Sequence, residues 1–486
     1  MSAMPVERLK FGDALAGLLL DGVDGTPYVG STLRMEEPNG PMVEVPYLHY
    51  EASGQFKSVQ AWFAERRPPK NMVIKTVGGD ISLYDIRWMG HSVKSGLGVS
   101  LGKMQPTEIV LAKRDSPLSA PLTVTEMRSH IDGLKEWSNF TAIKHERKAN
   151  EEGFIRKLEV EVESVAAMTW VQGEATMTLQ TDWKSADKEV DDDSSFSIFE
   201  WVVLDSKFEG AATVSDHLVE QRKVQHLLVL MFDGAIHFRK HRVRDETFPD
   251  PRGRVKVYYP FVELISRRTV REYAEARPTK KDLSRPLVYL QQVEGDGLQR
   301  WADSYEEWKR FIQPSVGVLA RRGAFVEDVV STLSMSLEAG GHLLGHRDGE
   351  EDTYSGRTKK PSTATFVYRC LHDLDMDWGD HIESITGLAR AIANTYNAIK
   401  HFDRGEFPDD EETYLVSLVL RKVVRLMTLN LLDPTRELIK EFQEEGALWR
   451  LHQAFSLNEL RILEDGTWEA APTPPAPDRP DGLSFG

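Results

Sequence analysis

Cysteine is nearly missing from this chain: Cys370 is the single one in 486 residues. A lone thiol excludes an intrachain disulfide and any cysteine-rich zinc site. Long apolar runs are missing too. "HLLVLMF" near Leu227 and "LVSLVL" near Leu415 fall far short of a membrane-spanning helix. The opening "MSAMPVERLK" has no apolar signal core, so the expected compartment is the cytoplasm, with no membrane partner. Positive charge is not in excess either. Sixty Lys and Arg against 76 Asp and Glu leave a formal charge of −16, which argues against nonspecific coating of nucleic acid. No internal repeat is visible.

What is present fits a folded protein of two or three domains, with 41% apolar and 28% charged residues. The first part reads as β-rich. "NMVIKTV", "DISLYDIRW" and "EIVLAKR" are β-branched runs between turn residues. "TEMRSHIDGLKEW" (Thr125 to Trp137) has helical spacing, and "IRKLEVEVES" alternates as a half-buried strand should. "GEATMTLQTDW" and "FSIFEWVVL" continue the strands around an acidic run, "DKEVDDDSS", that reads as a solvated hairpin or loop. "VSDHLVEQRKVQHLLVLMF" predicts a helix with Ser215 as N-cap, followed by two basic strands, "IHFRKHRV" and "RVKVYYPFVEL". Beyond about residue 300 the pattern is helical, near 297–312, 323–345, 363–372, 380–403 and 411–446, before a Pro-rich tail expected to be disordered. The expected fold class is multidomain α+β: a β-rich N-terminal region with inserted helices, then an all-α bundle.

Some motifs mislead. "GLGVSLGK" fails the phosphate-loop spacing, because Leu97 stands at the first glycine and Met104 at the hydroxyl position; a β-turn explains it. "HDLDMDWGDH" fails the calcium-loop pattern at Trp378 and Ser384. It reads as a loop between helices, with Asp380 as N-cap and Glu383 reaching back in a capping box. His342 and His346 have metal-pair spacing on one helix but no HExxH, and read as surface histidines. "HFRKHRVR" and "SRRTVR" are basic clusters that read as solvated edges before phosphate tracks.

The stretch "ANTYNAIKHFD" is chemically richer. On a helical wheel from Asp380, Ile385, Leu388, Ile392, Thr395, Ile399 and Phe402 share one side, with Tyr396 at its edge. Arg390, Asn394, Asn397 and His401 share the other, within an arc of about 60°. Asparagine is a poor helix former because its amide competes for backbone hydrogen bonds. Two asparagines and a histidine stacked turn upon turn therefore point to hydrogen-bonding work, at a buried helix interface or at a site.

"YNAIKH", the acidic loop after it and the helix "EETYLVSLVLRKVVRLMTLNLL" resemble the end of HEPN domains, specifically the ApeA-like HEPN group of bacterial anti-phage abortive-infection proteins. "STLSMSLEAGGHLL" resembles the first HEPN helix, with Glu338 in its "LEA" segment. "TEMRSHIDGLKEW", "VSDHLVEQRKVQHLLVLMFDG" and "LQRWADSYEEWKRF" resemble landmarks of the ApeA N-terminal domain and its junction. The resemblance implies an N-terminal regulatory region over 1–300, a junction over 301–322, a HEPN domain over 323–465 and the disordered tail over 466–486. The family carries Arg-Asn-x-x-x-His late in one helix; Asn397 and His401 match, while Tyr396 stands in the arginine's place.

The resemblance implies a metal-independent endoribonuclease, without cofactor, held inactive until infection. The RNA 2′-hydroxyl attacks the neighbouring phosphate and leaves a 2′,3′-cyclic phosphate. The chemistry needs proton transfer near neutral pH, which suits His401, and charge stabilisation at phosphoryl oxygens. Asn397 would orient His401 or the phosphate, and Lys400, Arg390 or Arg404 would supply charge. Asn394, Tyr396 and Glu338 would support the site. Expected partners are an RNA substrate, a second copy through the HEPN domain (or a higher oligomer) and a phage-derived trigger on the N-terminal region. The alternative is a catalytically inactive HEPN scaffold that binds RNA or a protein. A third reading, a carbohydrate-type β-domain on a dimerising helical module, rests on the strand pattern alone.

Overall fold

The computed structural model describes residues 9–22, 28–36, 38–48, 56–93, 98–164, 166–190, 193–249, 258–356, 358–401, 407–444, 446 and 448–471. The chain divides into two compact units, residues 1–228 with 236–284, and residues 229–235 with 285–486.

In the first unit, the first sheet strands are β1 (Ala14–Leu20), β2 (Val29–Glu36), β3 (Gly40–Leu48), β4 (Met72–Thr76), β5 (Gly79–Tyr84), β6 (Arg87–Val93), β7 (Val99–Gln105) and β8 (Glu108–Val110), with helix α1 (Phe56–Ala64) inserted after β3. Next come β9 (Thr123–Ile131), the short helix α2 (Leu134–Ser138), β10 (Ile143–Ala149), β11 (Ile155–Val162) and β12 (Ala166–Gln172). The unit closes with β13 (Ala175–Val190), β14 (Asp193–Thr213), helix α3 (Val214–Phe232), β15 (Phe238–Arg244), β16 (Val262–Ser266) and α4 (Val270–Ala274). Fourteen strands form one sheet in the order β12-β13-β14-β9-β15-β16-β8-β5-β4-β1-β2-β3-β7-β6. Its β1, β2, β3 and β4 pairings are antiparallel, so each strand can turn its alternate residues inward. In β2, Val29, Ser31, Leu33 and Met35 are buried while their neighbours are not. Phe63 of α1 lies over Gly102 so closely that a Cβ there would be 2.1 Å from its ring, and Tyr47 stacks on it at 5.5 Å.

Several expectations need correction. Thr125 to Trp137 is strand β9 and the short α2, not one helix. Met127, Ser129 and Ile131 point inward at period two; the buried serine masks that alternation, and Met127, Ile131 and Leu134 imitate a helical stripe. Helix α3 starts a residue before Ser215, and its capping belongs to Thr213 and Asp216, each accepting a bond from the other's backbone N–H at 3.2 and 3.0 Å. Strand β11 is exposed on both faces, because it pairs only with β10 in a separate two-stranded sheet. The acidic run around Asp187 forms the paired arms of the β13–β14 hairpin. Of the second basic strand only 258–266 is described, with β16 at its end.

The second unit is helical: α5 (Leu290–Ser304), α6 (Lys309–Leu319), α7 (Val326–Leu344), a 3-10 turn (Glu350–Thr353), α8 (Thr363–Leu374), α9 (Ile385–Lys400), α10 (Asp410–Leu432), α11 (Glu437–Glu444) and α12 (Trp449–Leu457). A hairpin of β17 (Leu460–Ile462) and β18 (Trp468–Ala470) follows, so the tail expected to be disordered from 466 starts with a paired strand. The expected 297–312 helix is two helices. The expected 411–446 helix stops at Leu432, where Pro434 disfavours helical backbone at Asp433 (φ −139°). At its start, Asp409 accepts from the Glu411 and Glu412 amides at 2.8 and 3.2 Å, and the first-turn acids complement the helix dipole. Ionic contacts, one of them buried, tie the bundle. The Arg369 guanidinium donates both arms to the fully buried Glu350 carboxylate at 2.7 Å, and this pairing holds the Glu350 acid down at about 2. Asp373 gathers Arg347 at 3.0 Å, Arg436 at 3.3 Å and the Asn430 amide at 2.9 Å. No described helix is long and apolar enough to cross a membrane.

Candidate functional site

Among the described residues, one concentration of polar side chains is buried in the sheet unit and another lies on a solvent-facing helix. Inside the sheet unit, His217, Ser206, Gln221, Ser129, His241 and Thr269 form a continuous hydrogen-bonded chain, and all six are buried. His217 Nε2 meets the Val124 carbonyl at 3.1 Å and Nδ1 meets Ser206 Oγ at 2.8 Å. Gln221 Nε2 donates to Ser206 Oγ at 2.9 Å, and the Ser129 hydroxyl donates to the Gln221 carbonyl oxygen. His241 lies 2.6 Å from Ser129 Oγ and 2.9 Å from Thr269 Oγ1. Burial pushes the His241 imidazole down to about 3, so it is neutral and satisfied at physiological pH. This network locks α3 onto β9, β14 and β15 and leaves no group for a substrate. Three cations of the first basic cluster are equally committed. Arg239 forks onto Asp132 (2.5–2.9 Å), Lys240 pairs with Glu263 at 2.6 Å and Arg244 pairs with Glu126.

The second concentration lies on α9. This helix starts at Ile385, with Ser384 as N-cap accepting from the Gly387 amide at 3.0 Å. The expected Asp380 cap and capping box are therefore corrected. Asp380 sits in an exposed turn before the helix, and Glu383 instead accepts from the Glu464 amide at 2.9 Å. The residues before α9 are taken by β17, with Ile462 donating its N–H to the His381 carbonyl at 2.9 Å and accepting from the Glu383 N–H at 3.1 Å; at Gly387 a Cβ would lie 2.2 Å from the Leu463 carbonyl oxygen. Only a glycine in the first turn lets the β17–β18 hairpin approach so closely. Leu388, Ile392 and Thr395 are buried, as the wheel requires, while Ile385 and Ile399 are half-buried.

On the opposite side, Asn394 and Asn397 are exposed and His401 is half-exposed at the C-cap, its backbone N–H donating to the Asn397 carbonyl at 2.9 Å. Among the described residues, these three side chains have no hydrogen-bond partner. Lys400 is exposed; its ammonium stands 5.2 Å above the Tyr396 ring and 3.3 Å from the Tyr396 hydroxyl, with Tyr396 itself buried. Arg390 is held elsewhere, donating to the Asp352 carbonyl at 2.6 Å and the Glu464 carbonyl at 3.0 Å. Glu338 accepts from the Thr363 hydroxyl on α8. Arg404 and Phe402 lie outside the described residues. The structure thus gathers Asn394, Asn397 and His401 on successive turns, with Lys400 alongside, and links neither Arg390 nor Glu338 to them by a described hydrogen bond. The carbonyls that hold Arg390 come from the 3-10 turn and from the turn of the β17–β18 hairpin, and no local pattern signals them.

The two other histidines do not share a helix: His342 is exposed on α7, while His346 follows the Gly345 turn and contacts Glu351 at 3.0 Å. Among the described residues, no three His, Cys, Asp or Glu side chains are arranged to hold a metal ion.

No curated protein and no solved structure matches the chain. The family model described as ApeA N-terminal domain 1 matches residues 47–303, more than half of the sequence. That span covers α1, the strands from β4 to β16, the long helix α3 and the start of the helical unit. The chain belongs to the ApeA-like anti-phage family.

Proposed function

We propose that this anti-phage defence protein is a metal-independent endoribonuclease of the HEPN type, with its nuclease domain over 323–465 and residues 1–300 as the region that holds it inactive until a phage-derived trigger arrives. One observation carries the reading. Asn394, Asn397 and His401 stay solvent-facing and without described partners on a helix whose other side is packed. Exposed asparagines lower helix propensity, and nothing in the described fold uses their amides.

In this reading His401 takes the proton from the RNA 2′-hydroxyl or returns one to the leaving 5′-oxygen. Asn397, one turn earlier, orients the imidazole or the scissile phosphate. Lys400 swings from the Tyr396 ring toward the phosphoryl oxygens and stabilises their developing charge. A two-fold contact through the helical unit sets two such constellations facing each other. The test incubates purified protein, with and without lysate from infected cells, with total RNA. Wild-type cleavage leaving 2′,3′-cyclic phosphate ends, lost in His401→Ala, supports the reading. Cleavage undiminished in His401→Ala sinks it.

A second reading, a HEPN scaffold that binds RNA or a protein without cutting, is favoured by two observations. Tyr396, in the arginine's place, is buried, and Arg390 is tied to carbonyls. RNA binding without cleavage under every trigger would select it.

A further inference from the structure

A cleft of about 370 Å³ opens in the sheet unit where the ends of β5, β8 and β16 meet the start of α3. Its size is in the range of small-molecule sites. Two cations reach it, Lys70 and Arg268, with side chains 75% and 51% exposed. Residues 213–215 form one wall, at the start of α3, whose end is closed by the reciprocal Thr213–Asp216 cap. Leu122 and Val214 add apolar surface.

The cleft also holds two acids in opposite situations. Asp85 is saturated: it accepts from the Thr107 hydroxyl at 2.8 Å and from Arg87 at 3.2 Å, with Lys70 at 3.7 Å. Glu108, at the start of β8, is not. Its side chain is 9% exposed, its Oε1 lies 3.6 Å from Arg268 Nε, and its Oε2 is buried without a hydrogen-bond partner. A native fold seldom leaves such an oxygen unsatisfied. Burial raises the Glu108 acid to about 8. At neutral pH the group is therefore a protonated carboxyl, bonded by the Ser266 hydroxyl, with Oε2 unpartnered among the described residues.

We infer that this cleft binds a small phosphorylated organic molecule, its phosphate taken by Arg268 and Lys70, with the Glu108 carboxyl donating a hydrogen bond and the apolar wall covering the organic part. Two cations and a neutral acid favour an anion over a cation. Several donors converging from different elements suit the several oxygens of a phosphate. The inference stands apart from the ribonuclease reading, because binding is measured without RNA.

The groups facing Glu108 are Ser266, Arg267 and Arg268 beside β16, Asp85 after β5 and Tyr273 on α4. Glu108 is the one of them that changes charge between pH 7 and 9. Phenyl phosphate, with a second ionisation near about 6, is already a dianion there. Calorimetric titration of the full chain should give one phenyl phosphate per chain, bound about tenfold more weakly at pH 9 than at pH 7 as Glu108 ionises. Glu108→Gln should keep the binding and flatten its pH dependence. Lys70→Ala, at an exposed residue, and Arg268→Ala should each weaken it by about tenfold. Inorganic phosphate, lacking the ring, should bind more weakly. Several results would overturn the assignment: no binding at millimolar phenyl phosphate, tighter binding of benzylammonium or benzoate, affinity rising with pH, or inorganic phosphate binding equally well.

Discussion

The two units treat histidine in opposite ways. In the sheet unit, His217 and His241 are sealed, neutral and bonded at both ring nitrogens, so their chemistry is spent on holding α3 to the sheet. In the helical unit, His401 ends a helix with its ring half-exposed and, among the described residues, without a hydrogen-bond partner. The same side chain is architecture in one place and available chemistry in the other. What separates them is the bonding around the ring, which residue type alone does not reveal. The comparison makes a sharp claim: substitution at buried histidines should cost stability, and substitution at His401 should cost activity alone.

The largest expected effect tests that claim directly. His401→Ala should lower RNA cleavage by about a hundredfold or more, the usual worth of a general acid–base group, with the melting temperature unchanged. His241→Ala should do the reverse. It empties the buried site of the ring, takes one bond each from the Ser129 and Thr269 hydroxyls and should cost about 1–3 kcal/mol, read by urea denaturation. A His401→Ala protein that melts early would mean that the imidazole is structural and the contrast false.

Next in size is a contrast of buried charge. Arg369→Ala leaves Glu350 buried and uncompensated, and should cost about 3–5 kcal/mol in the helical unit. Gly387→Ala should cost about 1–3 kcal/mol, because the added methyl meets the Leu463 carbonyl at 2.2 Å and must push the hairpin off α9. Both are read as the urea midpoint with tryptophan fluorescence. If Gly387→Ala is neutral, the hairpin is not anchored where the structure has it.

Much of this was legible in the sequence, for physical reasons that also mark the limit. Strands β4, β5, β6 and β8 announced themselves through β-branched runs between turn residues, and the apolar side of α9 through its 3.6-residue period. Strand β9 was misread because a buried Ser129 interrupts the apolar alternation; its hydroxyl is satisfied by Gln221, 92 residues away, which no local window contains. The Asp380 cap failed for a similar reason. Residues 381–383 before α9 are paired with Ile462 of the hairpin, 80 residues downstream of Ile382. The polar stripe itself could be read as far as Asn394, Asn397 and His401, but the commitment of Arg390 to two turn carbonyls could not.

Acid should separate the units by the order in which they loosen. His241 has a folded value near 3 against an ordinary value near 6.5, so the unfolded chain takes up the proton first. Its contribution is complete above pH 6.5 and is lost as pH falls from there toward 3. Glu350 is held at about 2 against an ordinary value near 4.5, so its contribution is complete above pH 4.5 and is lost below it, toward 2. Between pH 7 and 5, the exchange protection factors, taken relative to the intrinsic rate at each pH, should therefore fall in β9 and β15 while those in α8 hold. Loosening of α8 first would invert the comparison.

The smallest expected effect concerns the residue in the arginine's place. Tyr396→Phe keeps the buried ring and the cation–π contact with Lys400, and removes only the 3.3 Å bond to the hydroxyl. Stability should change by less than about 1 kcal/mol, since the lost bond is long and its donor is exposed. Freed from the hydroxyl, Lys400 can reach a phosphate more readily, so cleavage should hold steady or rise a few-fold. A hundredfold loss, comparable with His401→Ala, would instead make the Tyr396 hydroxyl a participant in the chemistry and Lys400 its partner in positioning. The stripe would then include a buried residue, and the line drawn between hidden structural groups and displayed reactive ones would no longer hold within α9.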